Sequence, residues 1–181
     1  SKESIFTGLN NLKVHSISDA QFDEYFGFTD EEVGKMLADY GFEAHRDEMR
    51  EWYDGYRFGS QNVYCPWDVI NYCYDLRSDP MSEPQAYWIN TSGNDMVRRL
   101  IEKAGDGTTQ MEIERLIAGE SIYKTLNENL THNEIEKNIE NIWSLLYMTG
   151  YLTLAARPSG GIFELRIPNR EVRQIFMRQV L

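Results

Sequence analysis

The 181-residue chain is 41% hydrophobic and 13% aromatic, which excludes an intrinsically disordered segment and fits one ordinary domain or two small ones. Its formal net charge of −11 opposes non-specific attraction to nucleic acid or anionic lipid. The charge is uneven, because residues 157–181 contain five Arg against two Glu. This basic tail is the one stretch where we expect a polyanion to be able to dock.

The two cysteines, Cys65 and Cys73, form no CxxC pair and have no histidine at metal-ligand spacing. We therefore expect reduced thiols in a cytoplasmic protein and no metal site. The sequence contains no secretory signal and no apolar run of about 20 residues, so we expect neither export nor a membrane span. The chain begins at Ser1 and ends inside an amphipathic pattern, which indicates a segment of a longer protein.

Helix signals dominate the first half of the chain. The strongest start is Thr29, because Glu32 three residues later completes a capping box, and Gly41 ends that helix. Its inward face is predicted to be Val33, Met36, Leu37 and Tyr40. We predict further helices over 19–26, over about 45–54 with Met49, Trp52 and Tyr53 inward, and from Pro66 to about 75 with Val69, Ile70, Tyr72 and Cys73 buried. A turn at 55–59 and a short strand at 63–64 separate the last two.

The second half combines helices with extended segments. Helices are predicted after Thr91 or Ser92, over about 108–118, after Thr131, and after Asn169. Residues 121–126 are short and extended, and residues 151–155 and 162–167 alternate as the two strands of a hairpin around a Gly-rich turn. The sequence thus predicts a mostly α (α+β) fold, in which a helical bundle precedes a winged-helix-like element with one β-hairpin.

Motifs of known catalytic centres are missing from the chain. There is no GxxxxGK[ST] phosphate loop, no GxSxG nucleophile elbow, and the three histidines lie far apart in sequence. We therefore predict no catalytic residue and no metal ligand. A metal-dependent hydrolase built from scattered carboxylates stays open as an alternative.

The predicted wing has two possible roles, reading DNA or stabilising the fold. The helix before the hairpin contains Glu134, Glu136 and Glu140 against Lys137, and it would repel phosphate. Nucleic acid is therefore not expected as a partner. The candidates for such contacts are Arg157, Arg166, Arg170, Arg173 and Arg178.

An aromatic and polar signature runs through the chain in ordered blocks. These are Ser4-Ile5-Phe6-Thr7-Gly8-Leu9-Asn10-Asn11-Leu12, Phe26-Gly27-Phe28-Thr29, Tyr53-Asp54-Gly55-Tyr56-Arg57-Phe58, Pro66-Trp67 and Tyr87-Trp88-Ile89-Asn90-Thr91-Ser92-Gly93. Together they resemble the bacterial AAA-ATPase-like proteins that carry a C-terminal PD-(D/E)XK nuclease-like domain.

This resemblance implies that both active centres lie outside the chain, with the phosphate loop and Walker B strand upstream and the nuclease-like domain downstream. Residues 1–17 would end the ATPase core, 18–120 would form a helical lid-like region, and 121–181 would form the winged-helix-like region. ATP and Mg²⁺ would be cofactors of the parent protein, with none in this segment. Its partners would be the remainder of its own chain.

The resemblance also implies site residues. Arg57 would act as a sensor-like cation near phosphate, because a guanidinium offers fixed charged donors, while Tyr64 and Pro66 would line the adenine end of the site. The alternative is that Tyr53, Tyr56, Tyr64, Trp67, Tyr87 and Trp88 form an aromatic core, with Asp54 ordering the turn before Gly55 and Asn90 capping a helix. The expected function is a non-catalytic lid and winged-helix segment that couples nucleotide state to the nuclease-like domain. The alternative is a protein-interaction module with no nucleotide role.

Overall fold

The computed structural model describes residues 26–88, 97–98, 101–102, 107–127 and 139–180. These residues form an α+β fold with helices and two small antiparallel sheets, as the sequence predicted. The predictions for residues 1–17, for the helix over 19–26, for Asn90 and for the caps at Thr91, Ser92 and Thr131 lie outside the described residues.

We call residues 26–88 the helical part, and it begins with a well-capped helix. Helix α1 spans Asp30–Tyr40, and the Thr29 backbone amide donates to Glu32 Oε2 at 2.8 Å while the Glu32 amide donates to Thr29 Oγ1 at 3.3 Å. Gly41 ends the helix in the left-handed region with φ of 75°. A 3₁₀ turn at Glu43–His45 leads into α2, Arg46–Tyr53, and α3 spans Pro66–Ser78. The predicted cap, stop and start at Thr29, Gly41 and Pro66 are confirmed.

The sequence pattern did not predict the β-hairpin that lies between α2 and α3. Strands β1, Tyr56–Phe58, and β2, Gln61–Val63, pair antiparallel with Arg57 opposite Asn62. The sequence had indicated only a turn followed by a strand at 63–64. Three residues per strand are too few for a recognisable alternation of apolar and polar positions, so the periodicity gave no signal.

The second part, described over residues 97–98, 101–102, 107–127 and 139–180, has the strand order of a winged helix. Helix α4, Gly107–Ile117, leads to strand β3, Ile122–Thr125, and then to helix α5 at Ile139–Met148. The hairpin of β4, Thr153–Leu154, and β5, Ile162–Arg166, precedes α6 at Arg170–Val180. The sheet order is β3-β5-β4, all antiparallel, so the predicted hairpin and the extended segment at 121–126 form one sheet.

Each part has its own apolar core. In the helical part the buried side chains are Val33, Leu37, Met49, Trp52, Tyr53, Tyr64, Val69, Tyr72, Cys73 and Leu76. The second core centres on Trp143 and Phe176 and extends to Val97, one of the few described residues of the 97–102 region. Sheet residues Leu154, Phe163 and Leu165 complete it.

Three side chains predicted to face inward are instead exposed. Tyr40, Trp67 and Ile70 are 54%, 51% and 54% exposed. Trp67, Ile70 and the exposed Tyr74 recur on one face of α3 at helical spacing, and that face is not the one that packs on α2. Helical period alone does not reveal which of two apolar faces packs, so the burial predicted for these residues is wrong.

The two parts meet through direct polar contacts. The Trp88 amide donates to Glu171 Oε1 at 2.8 Å, and Arg170 Nη1 lies 3.1 Å from Glu51 Oε1. Gly55 lies so close to Pro168 that a Cβ at position 55 would overlap the Pro168 carbonyl oxygen. Among the described residues, no helix has the length and apolar character needed to cross a membrane.

Candidate functional site

The junction between the two parts contains the signature residues Asp54, Gly55, Arg57 and Trp88. Asp54 follows the end of α2, and its Oδ1 accepts the Gly55 amide at 2.6 Å. Gly55 has φ of 103°, which side-chain-bearing residues rarely adopt. The prediction that Asp54 orders the turn before Gly55 agrees with this hydrogen bond, and the turn directs β1 toward the wing.

Arg57 connects the β1–β2 hairpin to the wing. Its backbone amide donates to Thr153 Oγ1 at 2.8 Å, and its Nη1 donates to the Ala155 carbonyl at 3.3 Å. Its Nε donates to the Gly59 carbonyl at the same distance of 3.3 Å. The side chain predicted to sense phosphate is therefore held by backbone carbonyls of both hairpins.

Tyr64 is buried beneath the surface rather than lining an open site. Its hydroxyl donates to Asp30 Oδ1 at 2.7 Å, and Asp30 also accepts from Arg46 at 2.7 Å and from Arg50 at 3.0 Å. Burial alone would raise the pKa of Asp30, but the hydrogen bonds from these three side chains outweigh it and lower the pKa to about 2. Pro66, half-buried, begins α3 two residues after Tyr64.

Replacing Asp30 by Asn is expected to destabilise the chain at neutral pH and not in acid. Since the folded pKa of about 2 lies below the ordinary value of 3.8, the stabilisation is present above about pH 4 and is lost as the pH falls toward 2. We expect a loss of roughly 1–2 kcal/mol at neutral pH, discounted for the partly exposed carboxylate. Urea unfolding at several pH values measures this, with the exposed Asp39→Asn on the same helix as control. A pH-independent difference between Asp30→Asn and the unaltered chain would contradict it.

The aromatic residues of the signature divide between the two cores. The Tyr53 hydroxyl donates to the Gln85 carbonyl at 2.8 Å and accepts the Gln85 amide at 3.0 Å. Trp88 packs on Tyr151 with ring centroids 4.9 Å apart, and Tyr56, half-buried, packs against the same second core. Trp67 does not belong to either core, so the predicted aromatic cluster is split and one member lies at the surface.

Two buried acidic side chains and a thiol lie close to this junction. Asp68 and Glu171 are fully buried, and burial raises the pKa of Asp68, an effect that Cys65 and Glu171 partly offset. Burial, and then the charge of Asp68, raises the pKa of the Cys65 thiol to about 12. A thiol with this pKa stays protonated at neutral pH and is a poor nucleophile.

A pocket of about 280 Å³ opens where α2, the β1–β2 hairpin and α6 meet, and we call it the arginine pocket. Its lining includes four guanidinium groups, from Arg50, Arg166, Arg170 and Arg173, together with Asn169. Glu51 and Asp54 also line it. The pocket therefore groups four arginines in a chain whose net charge is −11.

A second, larger cavity of about 540 Å³ lies between α1 and α3, and we call it the apolar groove. Met36, Tyr40, Ile70, Cys73 and Tyr74 provide its apolar lining. Its charged rim comprises Glu32, Lys35, Asp39 and Arg77. Burial raises the pKa of the Cys73 thiol, so it too stays protonated at neutral pH.

Sequence reasoning did not single out the arginine pocket as a site. The basic bias of residues 157–181 was its only signal, and it pointed to Arg166, Arg170 and Arg173 without showing that they converge. Arg50 gave no signal, because it comes from a helix more than 100 residues earlier. Among the described residues, no group of three His, Cys, Asp or Glu side chains is arranged to hold a metal ion.

Comparison with known proteins leaves the family open. No family model matches the chain, and no solved structure matches it. The chain is 28% identical over 176 residues to "Uncharacterized protein in vnfD 5'region" of Azotobacter chroococcum mcd 1. That alignment covers 96% of this chain but only 31% of the relative, so the chain spans about a third of the length of the protein it matches.

Proposed function

We propose that this chain is a non-catalytic lid and winged-helix-like segment of an AAA-type ATPase that couples nucleotide state to a downstream nuclease-like domain. The resemblance of its ordered sequence blocks to the AAA-ATPase-like family supports this proposal. The observed order of a helical part followed by a winged-helix-like part agrees with it. The parent protein would use ATP and Mg²⁺, reside in the cytoplasm, and place the rest of its own chain against this segment.

The observation that most supports coupling is the position of Arg57. The resemblance implies that Arg57 is a sensor-like cation near the nucleotide phosphates, and its hydrogen bonds in the structure go to Thr153 and Ala155 of the wing. A change in its position on nucleotide binding would be transmitted directly to β4. The wing packs on α6 through Leu165 and Phe176 of the shared core, so the displacement would reach the end of the chain that faces the proposed nuclease-like domain.

A phosphate-release assay tests the non-catalytic part of the proposal. We expect no ATP turnover by the 181-residue chain alone, because it contains no phosphate loop. The full-length protein, assayed in parallel, is expected to hydrolyse ATP. Turnover by the chain alone that disappears on substitution of one of its residues would overturn the proposal.

A protein-interaction module is a second candidate, and the apolar groove favours it. Exposed Trp67, Ile70 and Tyr74 border the groove or line it, and apolar side chains grouped in this way are typical of binding surfaces. Hydrogen exchange of α3 in the full-length protein and in the chain alone separates the two candidates. Protection of α3 only in the full-length protein would show that its own chain covers the groove. Equal exchange in both would leave the groove open to another protein.

A further inference from the structure

We propose that the arginine pocket binds a phosphate group. This inference does not rest on the proposed ATPase role, because it follows from the charge and geometry of the pocket alone. The pocket lies between the two parts of the chain and is lined by residues of both. A bound phosphate would therefore bridge α2 to β5 and α6.

The four guanidinium groups come from three separate elements. Arg50 is on α2, Arg166 ends β5, and Arg170 and Arg173 lie one turn apart on α6. A guanidinium offers planar donors that match the oxygen atoms of phosphate. Convergence of four such groups on one pocket costs electrostatic repulsion, which a bound anion would relieve.

Among the described residues, two of the four arginines have a carboxylate within 4 Å and two do not. Arg50 pairs with Asp30 at 3.0 Å, and Arg170 pairs with Glu51 at 3.1 Å. Within the described part of the chain, no carboxylate lies within 4 Å of the guanidinium nitrogens of Arg166 or Arg173, and the Nε atoms of both are buried without a hydrogen-bond partner. Arg166 and Arg173 are therefore the groups available to a ligand.

Asn169 adds a buried amide group to the lining of the pocket. Its side chain lines the pocket and only 6% of the residue is exposed. Its Oδ1 accepts the Val172 amide at 3.1 Å and so caps α6, as the sequence predicted. The Asn169 side chain lies within reach of Tyr56, but its Nδ2 makes no hydrogen bond of good geometry with a described residue. An unpaired buried amide donor is costly, and an oxygen of a bound anion would satisfy it.

The acidic residues of the lining do not cancel this charge. Glu51 is paired with Arg170, and Asp54 gives one oxygen to the Gly55 amide. Four arginines against two carboxylates leave a lining charge of +2. The pocket also includes the positive end of the α6 dipole. A group with a charge of about −1.5 to −2, as a phosphate has near neutral pH, complements this surplus better than a carboxylate does.

Calorimetric titration of the 181-residue chain with inorganic phosphate and with pyrophosphate, at low ionic strength, tests the proposal. We expect saturable binding that weakens as salt is added. A parallel titration with ADP shows whether the ligand is a nucleotide or a free phosphate. ADP that binds much more tightly than pyrophosphate identifies a nucleotide site, and equal binding of the two identifies a site for the phosphate group alone. Arginine side-chain Nε signals of the unaltered chain, observed by NMR, should shift at Arg166 and Arg173 on addition of phosphate.

Single substitutions then assign the binding to this pocket. We expect Arg166→Gln and Arg173→Gln each to weaken phosphate binding about tenfold, since each removes a charge-assisted contact. Asn169→Ser keeps an oxygen for the helix cap and should weaken binding with the fold retained, as measured by circular dichroism. Arg178→Gln, an exposed arginine of the same helix outside the pocket, is the matched control. Equal weakening by the control, or no shift of the Arg166 and Arg173 signals, would overturn the proposal.

Discussion

Gly55→Ala is expected to destabilise the chain by about 2–5 kcal/mol. Two costs combine at this position. The backbone has φ of 103°, which disfavours any residue with a Cβ, and the added methyl group would overlap the Pro168 carbonyl oxygen. Relief of that overlap requires Pro168 to move away from Gly55, which opens the junction between the helical part and α6.

Gly41→Ala is the matched control for Gly55→Ala. Gly41 also has positive φ, of 75°, but a Cβ there would meet nothing within 4 Å. We expect its cost to be only the backbone term, about 1 kcal/mol. Urea unfolding of both variants gives the comparison. Equal losses of unfolding free energy would show that the contact with Pro168 contributes nothing.

Trp143→Ala is expected to cost about 3–5 kcal/mol of unfolding free energy. Trp143 is 1% exposed, at the centre of the second core, and Lys124 Nζ lies 4.9 Å from its ring centroid. Its removal leaves a large cavity between α5 and the three-stranded sheet, and α5 cannot close it without moving β3. The same urea experiment measures this loss.

Trp67→Ala provides the contrast for Trp143→Ala. Trp67 is 51% exposed on α3, so its truncation should change the unfolding free energy by no more than about 0.5–1 kcal/mol. Comparable losses for the two variants would contradict the burial described here. If the unfolding free energy changes little in Trp67→Ala, Trp67 can be substituted to probe binding at the apolar groove without unfolding the chain.

Local signals in the sequence predicted much of the fold. The Thr29–Glu32 capping box, Pro66 at a helix start, Asn169 as a cap and the 151–167 hairpin all depend on residues within a few positions of one another. Each has a backbone reason to favour one structure, so the single sequence was sufficient. The period-two pattern of Phe163 and Leu165 identified the buried face of β5 in the same way.

Long-range contacts account for what the sequence did not reveal. The arginine pocket brings Arg50 next to Arg170, which lie 120 positions apart, and no local pattern links them. The exposure of Ile70 depends on which face of α3 meets α2, and both faces contain apolar residues. The hydrogen bonds from Arg57 to Thr153 and Ala155 likewise depend on the folded chain bringing the two hairpins together.

Hydrogen exchange of the full-length protein, with and without a non-hydrolysable ATP analogue, tests the coupling role most directly. The proposed function predicts slower exchange of the Arg57 amide, which donates to Thr153, when nucleotide is bound. It also predicts that Arg57→Gln abolishes the nucleotide-dependent change in the wing over Thr153–Leu154, while Arg178→Gln preserves it. Identical exchange of Arg57 and the wing with and without nucleotide would contradict the coupling role.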